Sequence, residues 1–160
     1  MIKIKIIALG KLKEKYMREA LAEYQKRLSS LCDMEIIELD PVRLPDNPTS
    51  GEITAALKRE AALVSAKIPK GAQVVAMCIE GRQMSSEEFA AFFENCAVTG
   101  SGCIAFVIGS SYGLDDSIKQ SAKIKLSMSK MTFPHQLARV MLAEQIYRGL
   151  KINAGGTYHK

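Results

Sequence analysis

The sequence predicts a single α/β domain in which helices cover both faces of a mostly parallel β-sheet. Apolar runs alternate with amphipathic segments in the order β-α-β-α-β-α-β-α-β-α, which is typical of that architecture. Two of the runs, residues 73–79 and 103–109, are nearly all apolar, as strands buried on both faces are. No repeat or break in composition interrupts the 160 residues, so we expect one domain over residues 1–160.

The beginning of the chain predicts a strand, a helix and a second strand. Residues 2–9 alternate in polarity and then run apolar until Gly10, which is typical of a strand entering a sheet. Apolar side chains then recur at helical spacing over residues 13–31, with charged side chains on the other face. Residues 34–39 form the second predicted strand. Three prolines make residues 41–50 a loop.

Two capping boxes mark the starts of the second and third helices. In each, a hydroxyl side chain caps the helix backbone and a glutamate three residues later reaches back: Thr49 with Glu52, and Ser85 with Glu88. Between these helices, residues 80–82 are expected to turn the chain out of the strand at 73–79. The buried face of the third helix is predicted to consist of Phe89, Phe92, Phe93 and Cys96.

The end of the chain predicts a short helix near residues 115–121, a strand at residues 124–128 and a long final helix. Pro134 fixes the start of that helix, because its ring presets a helical φ and its missing N–H is not needed in the first turn. The corner at residues 129–133 therefore lies between a strand's carboxyl end and the positive end of a helix dipole. In open α/β sheets this is where ligands bind.

Charge and composition restrict the function classes. The net charge is +5, and the basic residues concentrate in residues 1–30, with eight Lys or Arg against three acids, and in residues 128–160, with five against one. If these two segments meet in the fold, they form a surface suited to phosphates. No apolar run approaches the roughly 20 residues that span a bilayer, and the N-terminus lacks a signal peptide, so we expect a cytoplasmic protein.

The four cysteines show no spacing typical of a metal site, so we expect reduced thiols and no metal. Cys78 and Cys103 lie in apolar runs and are expected to be small buried side chains.

Residues 109–113, Gly-Ser-Ser-Tyr-Gly, match the nucleophile elbow of serine hydrolases directly after a strand. In that interpretation Ser111 attacks an ester, with His135 or His159 as its base. The nearest acids follow Ser111 by only four and five residues, too close to come from a separate strand end. The alternative interpretation is a glycine-rich loop whose backbone lies close to a bound ligand.

The C-terminal residues combine an aromatic ring, an imidazole and a cation. Tyr158 is suited to stacking on a base, His159 to sharing protons and Lys160 to contacting phosphate. Arg139, one turn into the final helix, extends the basic surface. These residues also fit a non-catalytic protein that binds RNA or ribosomes.

Three separated stretches closely resemble the ribosomal large-subunit RNA methyltransferase H family, small proteins of the SPOUT class. They are FVIGSSYGL at 106–114, LSMSKMTFPHQLARVMLAEQIYR at 126–148 and YHK at 158–160. The resemblance extends over the whole chain, including its length, the strand IKIIALGK and the IEG turn at 79–81.

The resemblance implies an α/β fold whose C-terminal part forms a deep trefoil knot, which periodicity does not predict because chains generally avoid knots. It also implies a homodimer. The implied activity is methylation of N3 of a pseudouridine in 23S ribosomal RNA on the assembled ribosome, with S-adenosylmethionine as the methyl donor.

The resemblance further implies the roles of individual residues. The positions that correspond to donor-binding residues are Met77, Gly109, Met128, Ser129, Lys130, Met131, Thr132 and Phe133. His159 is the expected catalytic base, and Arg139, Tyr158 and Lys160 are expected to contact the RNA. Members of the family usually carry a second glycine where this chain has Ser110, so the side chain of Ser110 either narrows the pocket or adds a hydrogen bond.

Overall fold

The computed structural model describes residues 1–160 and consists of five strands and five helices that alternate along the chain. All strand pairs are parallel, in the order β2-β1-β4-β3-β5. The predicted element order is confirmed. The elements are β1 (Lys3–Leu9), α1 (Lys15–Leu28), β2 (Asp33–Leu39), α2 (Ser50–Ser65), β3 (Gln73–Gln83), α3 (Ser86–Val98), β4 (Cys103–Ile108), α4 (Asp116–Ser121), β5 (Ile124–Ser127) and α5 (His135–Asn153).

Helices cover both faces of the sheet, as predicted. On one face, alternate residues of β1 and β4 pack with α1, α3 and α5 in a cluster that includes Phe93 and Phe106. On the other face, the intervening residues of the same strands pack against α2 and α4. Because each central strand is covered on both sides, its sequence is apolar at nearly every position.

Local sequence signals determine several helix starts. Both predicted capping boxes are present, with Thr49 and Ser85 each accepting from the backbone N–H three residues later while the glutamate reaches back. Pro134 immediately precedes the first residue of α5, where it adopts an extended ψ of 136°. The predicted start of the last helix is therefore confirmed to within one residue.

The prediction that residues 80–82 turn the chain out of the sheet is wrong. β3 continues to Gln83, and Leu126 of β5 pairs with both Met77 and Arg82. The register of this pairing shifts between Met77 and Arg82, so β3 and β5 do not form one regular ladder. The chain crosses β5 at Gly81, where an added Cβ would lie 2.7 Å from the Lys125 carbonyl.

A close crossing of two strands is compatible with the expected trefoil knot. The crossing has no local sequence signal, because it depends on pairs more than 40 positions apart in the chain. The knot itself stays a prediction.

The two basic ends of the chain meet in the fold. Helix α1 packs against α5 through Tyr24 and Tyr147, whose ring centroids lie 6.4 Å apart, and the Arg27 guanidinium lies over both rings. Gln136 accepts a hydrogen bond from the Lys13 backbone at 3.0 Å. No helix in the structure is long and apolar enough to cross a bilayer.

All four cysteines are free thiols, but the expected burial of Cys78 and Cys103 is wrong. Both are partly exposed, whereas Cys32 and Cys96 lie in the core.

Candidate methyl-donor site

A cavity of about 740 Å³ opens at the carboxyl edge of the sheet, where β3, β4 and β5 end beside the start of α5. Its volume lies within the range of small-molecule sites, about 300–1,000 Å³. Its lining mixes apolar side chains with loop backbone. The lining residues fall into four groups, 77–80, 108–114 with Lys119, 126–129 and 131–135 with Ala138.

Seven of the eight expected donor-binding residues line this cavity: Met77, Gly109, Met128, Ser129, Met131, Thr132 and Phe133. Lys130 is the exception, because it is exposed and does not contribute to the lining. The carboxyl ends of neighbouring parallel strands meet at one edge, so residues far apart in sequence converge there.

The wall formed by residues 109–113 turns back tightly on itself. An added Cβ at Gly109 would lie 2.3 Å from the carbonyl oxygen of Gly113, closer than any side chain tolerates. Gly113 has a φ of +86°, which favours glycine, and its N–H donates to the Ser110 carbonyl at 2.9 Å. Glycine at these two positions is thus required by the geometry of the cavity wall.

Backbone donors in the corner at residues 128–133 have no partners within the protein. The N–H groups of Ser129, Lys130, Thr132 and Phe133 form no hydrogen bond to backbone or side chain. Helix α5 begins beside them with no side-chain cap and no acidic residue in its first turn. The corner therefore offers N–H groups and the positive end of a helix dipole to a polar ligand.

Two charged features flank the cavity. Glu80 at the rim pairs with the Lys119 ammonium at 2.5 Å, and the hydrogen bond from Lys119 lowers the pKa of the Glu80 carboxyl. His135 lines the cavity, and its pKa is lowered by burial and by the charges of Arg139 and Lys13. The imidazole is therefore neutral near pH 7.

The expectation that Arg139 contacts RNA is wrong, because its side chain is fully buried. Its guanidinium donates to the Glu38 carboxylate at 2.6 Å and to the Gly10 carbonyl at 3.0 Å. Glu38 also accepts from the Leu12 backbone at 3.2 Å. Arg139 thus fastens the cavity end of α5 to the ends of β1 and β2, and no atom of it faces solvent.

The C-terminal tail, residues 154–160, packs on the part of α5 that is farthest from the cavity. The Tyr158 hydroxyl donates to Glu144 at 3.2 Å, and the Arg148 guanidinium lies 4.8 Å above the Tyr158 ring. Burial raises the pKa of Tyr158 to about 12. His159 is 2.8 Å from Glu87 and 3.3 Å from Arg148. Lys160 is exposed.

His159 is therefore not positioned as a base in the cavity of its own chain. It is absent from the lining, and its neighbour Arg148 follows His135 by 13 residues, a rise of about 20 Å along the helix. A role for His159 as the catalytic base would require the site of a second subunit.

The serine hydrolase interpretation finds no support in the geometry. Ser111 is exposed, and neither histidine forms a hydrogen bond with it. Its neighbour Ser110 instead donates to the buried Glu60 carboxylate at 2.9 Å. Of the two possibilities that the sequence left open for Ser110, the structure shows the added hydrogen bond.

Comparison with known proteins identifies the family. A family model described as "Predicted SPOUT methyltransferase" matches residues 2–159. The chain belongs to the SPOUT methyltransferase family.

Individual members of this SPOUT family match over nearly their full length. The chain is 47% identical to ribosomal RNA large subunit methyltransferase H 1 of Clostridium perfringens, covering 98% of this chain and 99% of that protein. It is 48% identical to the methyltransferase H of Clostridium beijerinckii over the same shares. Among solved structures, the SpoU methyltransferase AviRb of Streptomyces viridochromogenes aligns over 98% of this chain and 62% of that one, with 14% identity and a TM-score of 0.47.

Sequence reasoning missed several residues that line this SPOUT methyltransferase's cavity. The sequence predicts Cys78, Ile79 and Glu80 at the end of a strand and in a turn, and Lys119 in a short helix, whereas all four line the cavity. The continuation of β3 beyond residue 79 carries the first three into the wall. The structure contains no cluster of three or more His, Cys, Asp or Glu side chains suited to a metal ion.

Proposed function

We propose that this SPOUT methyltransferase transfers the methyl group of S-adenosylmethionine to N3 of a pseudouridine in 23S ribosomal RNA within the assembled ribosome. In this proposal residues 1–160 form one catalytic domain that works as a homodimer in the cytoplasm. The observation that carries the proposal is the cavity at the ends of β3, β4 and β5, whose lining contains unpaired backbone donors. The names of the relatives support ribosomal RNA as the substrate class.

The residues of the cavity fit a nucleoside-containing sulfonium donor. Met77, Leu114 and Met128 supply apolar surface for an adenine ring. The free N–H groups of Ser129, Thr132 and Phe133 are proposed to bind its hydroxyl and carboxylate oxygens. When bound, the donor supplies an already activated methyl group.

The remaining task of the protein is alignment, exclusion of water and removal of the N3 proton. Holding two reactants in line lowers a barrier by up to about 7–11 kcal/mol. Two imidazoles are candidates for the proton acceptor: His135 in the cavity, kept neutral by burial, and His159 if the tail reaches the cavity of a second subunit. Tyr158 and Lys160 are proposed to contact the RNA in that arrangement.

Calorimetric titration of S-adenosylmethionine into the wild type and a Thr132→Trp variant tests the site. Because Thr132 lines the cavity, we expect the bulky side chain to abolish binding, while the surface variant Thr54→Trp on α2 binds normally. Undiminished binding by Thr132→Trp would place the donor elsewhere.

The activity is tested by deleting residues 158–160 and by mass analysis of ribosomal RNA. We expect the deletion to spare donor binding and to abolish methylation of ribosomes. Ribosomal RNA from cells lacking the protein should be lighter by one methyl group at a pseudouridine. Ribosome binding without any affinity for the donor would instead favour a non-catalytic RNA-binding protein.

A further inference from the structure

We propose that Glu60 is a positioning residue for the methyl-donor cavity and acts through Ser110, an inference that rests on the proposed function. Glu60 lies on α2, and only 5% of its surface is exposed. One carboxylate oxygen accepts from the Ser110 hydroxyl at 2.9 Å, and the other accepts from the Val42 backbone N–H at 2.9 Å. One side chain thus joins α2, the proline-rich loop and the cavity wall.

This carboxylate has no cationic partner. None of the seven ion pairs in the structure includes Glu60. A buried charge is costly unless donors surround it, and here two neutral donors are its hydrogen-bond partners. A leucine would fill the same space at lower cost, so stability alone does not explain a carboxylate at this position.

What the carboxylate provides is a fixed position for Ser110. That residue lines the cavity, and its carbonyl already accepts from the Gly113 N–H. With its hydroxyl held by Glu60, Ser110 is fixed through both backbone and side chain. The wall at residues 109–113 therefore keeps the shape that the donor needs before the donor arrives, which is preorganisation of a binding site.

The hydrogen bond from the Val42 N–H to Glu60 leads to a second, more specific prediction. The loop at residues 41–49 does not line the cavity, but its Val42 amide shares the Glu60 carboxylate with Ser110. Donor binding that steadies Ser110 should therefore slow hydrogen exchange at Val42. A purely structural Glu60 would leave exchange at Val42 independent of the donor.

Calorimetry and hydrogen exchange on five variants test the proposal. Ser110→Ala and Glu60→Ala should each weaken S-adenosylmethionine binding about tenfold, since each removes a hydrogen bond to a charged group, and the double variant should be no weaker than either single one. Glu60→Gln should bind within about threefold of the wild type, because an amide can accept from Val42 and donate to the Ser110 hydroxyl. Ser117→Ala, which removes a serine–carboxylate hydrogen bond outside the cavity, should bind normally.

Ser110→Ala should also speed exchange at residues 109–113 without donor and abolish the donor-dependent slowing at Val42. Wild-type affinity and exchange in Ser110→Ala would overturn the proposal while leaving the methyltransferase function intact. Absence of donor binding by the wild type would overturn the proposed function itself. Should Glu60→Ala fail to fold, Ser110→Ala, which removes only the hydroxyl of a half-buried side chain, decides the question together with Glu60→Gln.

Discussion

The two ends of α5 differ in how their polar groups are satisfied. At the first turn, Pro134 offers no side-chain cap, and the preceding corner, which lines the cavity, carries unpaired N–H groups. At the last turn, the carbonyls of Leu150, Lys151 and Ile152 accept from the backbone N–H groups of residues 154–156. The open end is therefore available to the proposed donor, whereas the closed end is completed by the protein's own backbone.

Two arginines of α5 show the same contrast. Arg139 near the open end is fully buried and fixed by Glu38 and a backbone carbonyl. Arg148 near the closed end is partly exposed, and its partners Glu144, Tyr158 and His159 belong to its own helix or to the tail. The first arginine anchors the helix to the sheet, and the second organises a surface segment.

Removing the acid that pairs with Arg139 should have the largest effect on stability. Glu38→Ala leaves the guanidinium buried without its carboxylate, which we expect to lower the free energy of unfolding by about 3 kcal/mol. Urea denaturation measures this loss. Glu35→Ala on the same strand removes only the surface pair with Lys5 and should cost less than about 1 kcal/mol. Equal effects of the two variants would show that the buried pair does not anchor α5.

The Gly109→Ala substitution should disrupt the cavity beside the start of α5 and leave the C-terminal end of α5 unchanged. A Cβ there would meet the Gly113 carbonyl, so Gly109→Ala must displace the cavity wall. We expect the displaced wall to weaken the binding of S-adenosylmethionine, measured by calorimetry, by at least about tenfold, or about 1.4 kcal/mol. Gly102→Ala, where the added atom meets nothing within 4 Å, is the control and should bind normally. Normal binding by Gly109→Ala would mean that this wall does not touch the donor.

Deleting residues 158–160 should weaken packing at the C-terminal end of α5 and leave the cavity at its start unchanged. The loss of the Tyr147–Tyr158 edge contact and the Arg148–Tyr158 contact should lower the free energy of unfolding by about 1 kcal/mol. Thermal unfolding gives this change, and calorimetry should find the donor affinity within about twofold of the wild type, a factor of two being about 0.4 kcal/mol. A large fall in donor affinity would show that the two ends are coupled.

The smallest expected effect is the pH dependence of stability that arises from His135 at the start of α5. The pKa of His135 is lowered from 6.5 by burial and by Arg139 and Lys13, so the unfolded chain binds the proton more readily. Stability should therefore fall as the pH drops below about 6.5. His135→Gln should flatten this slope in urea titrations at pH 5 to 7.5, whereas His159→Gln should leave the His135 contribution in place. An unchanged slope in His135→Gln would show that the imidazole is solvated.

The sequence predicted those features that neighbouring residues determine. Both capping boxes and the start of α5 follow from the chemistry of adjacent side chains. The order of strands and helices follows from their periodicity, and the convergence of their carboxyl edges from the parallel sheet.

The missed features depend on contacts between distant parts of the chain. The burial of Arg139 depends on Glu38, which is 101 positions away in the chain. The sequence around Arg139 therefore does not indicate that this side chain is buried. The path of β3 past Gly81 depends on the backbone of β5. Folding of the tail onto Glu87 likewise brings together residues 72 positions apart.

The crossing of β5 by β3 has a consequence for self-association. A terminal strand normally presents unpaired backbone groups that can recruit another chain into aggregates. Here Arg82 and Gln83, beyond the crossing at Gly81, add further pairs to Leu126 and Ser127 of β5. The other margin of the sheet is β2, where Asp33 and the Glu35–Lys5 ion pair would have to be desolvated by an approaching strand. Extra pairing within the chain at one margin and charged side chains at the other both disfavour the addition of another copy to the sheet.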